Sequence, residues 1–226
     1  MPTFSDHVAG IGLLADPLRR ELYLYVCAQP EAVSREQAAD ALGIAHHKAK
    51  FHLDKLEDEG LLTTEFARLT GRTGPGAGRP SKLYRRATEE FAVSLPGREY
   101  ELAGQLMADA IAASAATGEP VIEALNRAAA EHGRSWGRAA IESSGTRRRA
   151  IDIASDALAE HGYEPRTEGK KVVLANCPFH SLASSHTEMV CGMNLALIDA
   201  LADEVDGIRC NLEPADGRCC VVLSAT

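Results

Sequence analysis

Residues 34–60 read SREQAADALGIAHHKAKFHLDKLEDEG, and this stretch decides the fold of the front of the chain. Ser34 followed by Gln37 is a capping box, in which a hydroxyl and a carboxamide satisfy the amides that a helix start leaves open. The helix it opens is short, because Gly43 suits the left-handed cap that ends a helix. After the turn Ile44-Ala45, a further helix is expected from His46 to Glu59, closed by Gly60. Phe51, Leu53 and Leu56 supply its buried stripe, which leaves His46, His47, Lys48, Lys50 and His52 to face outward. Two short helices across a tight turn have the spacing of a helix–turn–helix, whose second helix enters a major groove.

The same logic extends both ways. Upstream, Asp16-Pro17 pairs a capping residue with proline at the first helical position and opens a helix through Leu18, Leu22, Leu24 and Val26. Downstream, extended segments are expected at Leu61 to Leu69 and Lys82 to Arg86. They flank residues 71–80, which are too rich in Gly and Pro for helix. A helix–turn–helix followed by a basic hairpin is a winged-helix layout, here spanning residues 1–88. Arg68, Arg72 and Arg79 toward the tip, with Lys82 and Arg85 on the returning strand, are candidates for phosphate or minor-groove contact. The alternative is a solvated hairpin with no partner.

Charge supports the first reading. The 226 residues carry a net charge of −8, but residues 1–88 hold 12 Lys/Arg against 11 Asp/Glu. Between Ala67 and Ala87 stand six basic residues and no acidic one. Contact with phosphate depends on local charge, not on the total.

Residues 89–145 open on a linker to Pro96. Two amphipathic helices follow, Glu99 to Ala116 and Pro120 to Ala140, suited to joining domains and pairing with a second copy, or to forming a plain core pair. Residues 146–226 read as a helix from Thr146 to His161, strands at Tyr163–Thr167 and Lys171–Ala175, a cysteine-bearing loop, a helix from Cys191 to Val205, and a hairpin of Ile208–Leu212 with Cys219–Ser224. The expected class is α+β, with a winged helix–turn–helix in front and a small α+β domain behind.

No apolar run approaches the roughly 20 residues needed to span a bilayer. The N-terminus lacks the pattern of a signal peptide, so a cytoplasmic setting is expected, where thiols stay reduced. There, six cysteines are better explained by a metal, a cluster or a redox switch than by structural disulfides. Cys177 with a nearby histidine could form a nucleophile–base pair. No phosphate loop, G-x-S-x-G or nucleotide fingerprint accompanies it, and an enzyme is not expected.

Five of the six cysteines fall in the last fifty residues, within Cys177-Pro178-Phe179-His180, Val190-Cys191-Gly192-Met193-Asn194, Cys210 and Gly217-Arg218-Cys219-Cys220. Cys177 ends a strand and Cys191 lies near a helix start. Consecutive strand residues point to opposite faces, so only one of Cys219 and Cys220 can face the loop. That gives three cysteine ligands and leaves one position for another group. A zinc set of Cys177, His180, His186 and Cys191 is the chemical rival. A metal-free thiol switch, forming a Cys177–Cys191 or other disulfide, comes third. Cys27 reads as a buried helix residue.

Gly60-Leu61-Leu62 and Gly78-Arg79-Pro80-Ser81-Lys82-Leu83-Tyr84 resemble the wing of ArsR-like regulators. Asn176 to Asn194, with Gly217 to Val221, resembles the sensor domain of the SufR-type iron–sulfur repressors within that group. The resemblance covers nearly the whole chain. It implies a homodimeric repressor of cluster-assembly genes that binds double-stranded DNA at an inverted-repeat operator. It also implies a [4Fe–4S] cluster on Cys177, Cys191 and Cys219. The fourth iron would fall to His186, His180 or a carboxylate, with Cys220 or Cys210 as replacements for Cys219.

Overall fold

The computed structural model describes residues 4–68, 80–145 and 148–226. The chain divides into two compact units, residues 1–93 and 94–226.

In the first unit, α1 (Phe4–Leu13) precedes α2 (Pro17–Cys27), β1 (Val33–Ser34), α3 (Arg35–Leu42), α4 (His46–Asp58), β2 (Leu62–Ala67) and β3 (Ser81–Arg86). Asp16 caps α2 by accepting from the Arg19 amide at 3.0 Å. Both arms of the Ser34–Gln37 capping box are made, and Gly43 ends α3 at φ 64°. The strands form an antiparallel sheet in the order β1-β3-β2, with Thr64 opposite Tyr84. Leu22, Val26, Ala38, Ala49, Leu53, Leu56, Leu62 and Tyr84 close the core.

Three expectations change here. Phe51 is 55% exposed, outside the buried stripe assigned to it, and Leu24 of α2 is 58% exposed. The stripe of α4 is Ala49, Leu53 and Leu56, and Phe51 stands two residues from Ala49 and Leu53, which is half a turn away on a helix. The helix α1, which carries two glycines, was not expected. The first unit also continues past residue 88, because the Phe91 ring packs on Gly10 of α1 and the His7 Nδ1 lies 2.8 Å from the Ala92 carbonyl oxygen.

The second unit contains α5 (Tyr100–Thr117), α6 (Val121–Ser143), α7 (Ala150–Glu160), β4 (Pro165–Glu168), β5 (Lys171–Leu174), α8 (His180–Ser185), α9 (Thr187–Val205), β6 (Ile208–Leu212) and β7 (Val221–Ala225). Its strands form an antiparallel sheet in the order β4-β5-β7-β6. Residues 89–145 are not a separate piece. Leu106 of α5 and Leu125 of α6 share one core with Leu158, Tyr163, Phe179, Met193, Leu197 and Leu223. The α6–α9 pair is packed backbone to backbone: a β-carbon at Gly133 would overlap the Leu197 carbonyl oxygen, and one at Gly137 would crowd the Leu201 carbonyl oxygen. The short α8 inside the cysteine loop was also not expected. It brings α9 forward to begin at Thr187, four residues before Cys191.

Candidate functional site

Two surfaces carry the expected chemistry, one in each unit. In the first, α4 begins at Ala45, which offers no side-chain cap, so its first amides stay open. His46, His47, Lys48, Lys50, Phe51 and Lys55 are all exposed along it. His47, Lys48, Phe51 and Lys55 follow helical spacing on one outward face, and the Lys55 ammonium stands 5.7 Å from the Phe51 ring centre. That face is basic with an aromatic at its middle, a composition that meets phosphate with charge and base edges with apolar surface. The outward placement of Phe51 was missed, although its offset from Ala49 and Leu53 was available in the sequence.

The other candidate DNA residues divide. His46 lies 3.2 Å from Asp40, and Lys50 is paired with Asp54 at 2.8 Å. His52 does not face outward. It is half-buried, its Nδ1 accepts from the Arg19 Nε at 3.4 Å, and burial lowers its pKa against the pull of Asp16. Lys82 is also committed internally: its ammonium bonds to Asp54 at 3.0 Å and to Glu57. Tyr84 donates to the same Asp54 at 2.7 Å. Burial works against the Asp54 charge, but Lys50, Tyr84 and Lys82 outweigh it and hold the carboxyl at about 2. Lys82 therefore fastens α4 to the wing strand rather than reaching for phosphate. Arg85 is exposed and loosely paired, 3.7 Å from Glu31 and 3.9 Å from Glu65. Arg68 is exposed at the root of the wing. Arg72 and Arg79 lie outside the described residues.

In the second unit, a cavity of about 450 Å³ is lined by Cys177, Cys191, Cys219 and Cys220, with His180, Arg98 and Arg218 on its walls. Three separate segments deliver the sulfurs. Cys177 follows β5 on the turn into α8, where its carbonyl accepts from the His180 amide at 3.0 Å. Cys191 sits on the second turn of α9. Cys219 and Cys220 precede β7 rather than lying in it, and the Cys219 amide donates to the Leu174 carbonyl of β5 at 2.8 Å. Cys219 is 1% exposed and Cys220 is half-buried, yet both line the cavity: outside the strand, the expected alternation that left only one of them facing the loop does not hold.

The nearby Cys219 thiol, with burial, pushes the Cys177 pKa well above the usual thiol range. For Cys219 the Cys177 contact lowers the pKa, but the Cys220 contact and burial carry it up to about 11. The Cys177 turn is itself braced. Arg98 donates to the Asn176 Oδ1 at 2.5 Å and to the Cys177 carbonyl at 3.2 Å, and the Asn176 amide donates to Gly97 and Gly162 carbonyls.

His186 and Cys210 do not line the cavity. His186 is exposed at the N-cap of α9, which leaves the set Cys177, His180, His186 and Cys191 undrawn together. Cys210 packs toward the Ile198 carbonyl oxygen, 3.9 Å away, and burial beside Asp199 and Asp203 pushes its thiol up to about 12. Cys27 is half-buried on α2. Among the described residues, no three His, Cys, Asp or Glu side chains already stand as a metal-coordinating group. The donor set nevertheless fits a thiophilic metal or an iron–sulfur group. Four soft sulfurs face one space, and binding would remove their protons and draw them inward.

The family model described as a helix-turn-helix domain matches residues 14–65, from the approach to α2 into β2. Residues 14–65 are a helix–turn–helix domain. Such a domain points to DNA binding and transcription regulation, and in this chain a two-stranded β2–β3 hairpin follows it as a wing. No curated protein and no solved structure gives a significant match to the chain. Among the described residues, no helix is long and apolar enough to cross a membrane.

Proposed function

We propose that the protein is a winged-helix transcriptional repressor whose hold on DNA depends on an iron–sulfur group, of the [4Fe–4S] kind, bound in the second unit. The observation that carries this reading is the convergence of Cys177, Cys191, Cys219 and Cys220, from three chain segments, on one cavity in a protein that also carries a DNA-reading domain. Cys177, Cys191 and Cys219 are the proposed ligands, and His180, which lines the same cavity, would take the fourth position. When bound, the group supplies iron–thiolate bonds that oxidants and iron shortage break. The chain's own residues do the rest. Cys177 fixes the turn after β5, Cys191 fixes α9, and Cys219 fixes the entry to β7, so shared ligation ties three elements that otherwise meet through hydrogen bonds and packing. The protein acts by binding, not by catalysis.

On DNA, two copies would place α4 in successive major grooves of an inverted repeat. His47 and Lys48 are the best base-contacting candidates, since Lys50 is engaged by Asp54 and His52 faces Arg19. Arg68, Arg72, Arg79 and Arg85 supply phosphate contacts and hence salt dependence. The expected targets are genes of iron–sulfur cluster assembly. A metal-free thiol switch is the second reading, favoured by the placement of Cys177 and Cys219 on one cavity. An external oxidant would take two electrons and the two thiol protons as the disulfide forms.

Anaerobic purification followed by iron, sulfide and zinc assays tests the proposal directly. Matching iron and sulfide, lost together in Cys177→Ser and Cys191→Ser, are expected. Zinc alone would replace the iron–sulfur reading with a structural zinc site. A protein that takes up no metal but shows oxidant-dependent DNA binding would leave the thiol switch. Arg72→Ala with Arg79→Ala should weaken DNA binding and flatten its salt dependence by about two counterions, without changing metal content. Unchanged affinity would remove the wing from the interface.

A further inference from the structure

The vicinal pair Cys219-Cys220 offers two sulfurs to one cavity, and a buried polar chain distinguishes them. Tyr163, fully buried, donates its hydroxyl to the Asn194 Oδ1 at 2.6 Å. With its oxygen so engaged, the Asn194 carboxamide turns its nitrogen to the Cys219 Sγ, 3.2 Å away. Asn194 and Cys219 are each 1% exposed, so neither bond competes with water. An amide nitrogen has only hydrogens to offer, and its natural partner is a sulfur bearing negative charge. Burying a carboxamide against a thiol costs free energy unless its bonds are made. Here both ends are made, and no donor of this kind serves Cys220 among the described contacts.

We propose that Asn194, oriented by Tyr163, is the positioning residue that makes Cys219 rather than Cys220 the sulfur bound at this site, and that it sets how firmly the site holds its metal. The inference rests on the reading of the cavity as a thiophilic metal site. An N–H···S bond withdraws charge from a coordinated sulfur. It thereby steadies the sulfur once it is bound to metal and raises the reduction potential of a redox metal group. Tyr163 acts at one remove by keeping the carboxamide from flipping its acceptor oxygen toward the sulfur.

The test uses the full-length reduced protein and two probes. The first is Cd²⁺, followed by its thiolate charge-transfer absorbance, because it binds cysteine sulfur whatever metal is native. Cys219→Ser should abolish or strongly weaken Cd²⁺ binding, and Cys220→Ser should leave most of it. Asn194→Leu should lower Cd²⁺ affinity by about 10- to 100-fold, and Tyr163→Phe by roughly tenfold, the range seen when groups behind a ligand are removed. Tyr163→Phe removes one oxygen and keeps the ring, so it carries the test if Asn194→Leu does not fold.

The second probe is ferrous iron with sulfide under anaerobic conditions, read as the midpoint potential of the product, which should fall in both variants. Because Tyr163→Phe keeps the ring and its packing, a fall in that variant reports the hydrogen bond rather than burial. Wild-type protein that ignores Cd²⁺, equal loss in the two serine variants, or unchanged Cd²⁺ affinity in folded Tyr163→Phe would each overturn the proposal. Wild-type protein that binds Cd²⁺ but takes up no iron and sulfide would instead end the iron–sulfur reading, with the Cd²⁺ comparison still deciding the role of Asn194.

Discussion

Asp54 shows how one side chain can hold a reading helix in place. It lies on α4, yet its carboxylate accepts from Lys82 and Tyr84 of the wing strand as well as from Lys50 on its own helix. Its carboxyl is held at about 2, below the 3.8 of an unperturbed aspartate. The sign follows: the charged form is favoured in the fold, so the stabilisation is fully present above pH 3.8 and is lost as pH falls through about 2. The shift corresponds to about 2 kcal/mol. Acid titration of the first unit, read by circular dichroism at fixed denaturant, should show this loss in wild type and a flatter profile in Asp54→Asn. At neutral pH, Lys82→Met should lower stability while leaving the salt dependence of DNA binding nearly unchanged. Lys48→Ala should do the reverse, removing about one counterion from the salt slope. A large drop in salt slope for Lys82→Met would place that ammonium on phosphate after all.

Among the elements, those that follow from neighbours in sequence were legible. The Asp16 cap, the Ser34–Gln37 box and the Gly43 stop each involve residues within a few positions, and all three are made. Ser34→Ala should cost about 1 kcal/mol in chemical unfolding. Elements whose meaning depends on a distant partner were not legible. Gly133 and Gly137 are visible in the sequence, but only the passage of α9 beside them shows why a side chain is excluded. Gly133→Ala, ordinarily favourable in a helix, should instead destabilise the second unit by several kcal/mol, in the manner of an overpacked core. Trp136 is the one tryptophan of the chain and lies between those glycines, so its fluorescence reports the change. The cysteine site was half legible. The sequence identified the sulfurs, but strand alternation did not foresee that Cys219 and Cys220 both line the cavity, because the pair precedes β7. Tyr163 and Asn194, 31 positions apart, and Arg98 and Asn176, 78 apart, carry no local pattern that links them.

At the scale of the molecule, two cores with no shared residue predict two unfolding events rather than one. Heating followed by circular dichroism should record both, and Trp136 emission should follow only the event of the second unit. Cd²⁺ should raise the temperature of that second event alone, since a ligand stabilises the unit that binds it. A single transition seen identically by both probes would show that the units unfold together. The brace at Arg98 gives this division a mechanical side. Residues 97–99 are the first to settle as the chain enters the second unit, and they do so on residues 176–178, through Asn176, the Cys177 carbonyl and the Pro178 carbonyl. The entry into the second unit and the base of the Cys177 turn are thus one braced piece of backbone.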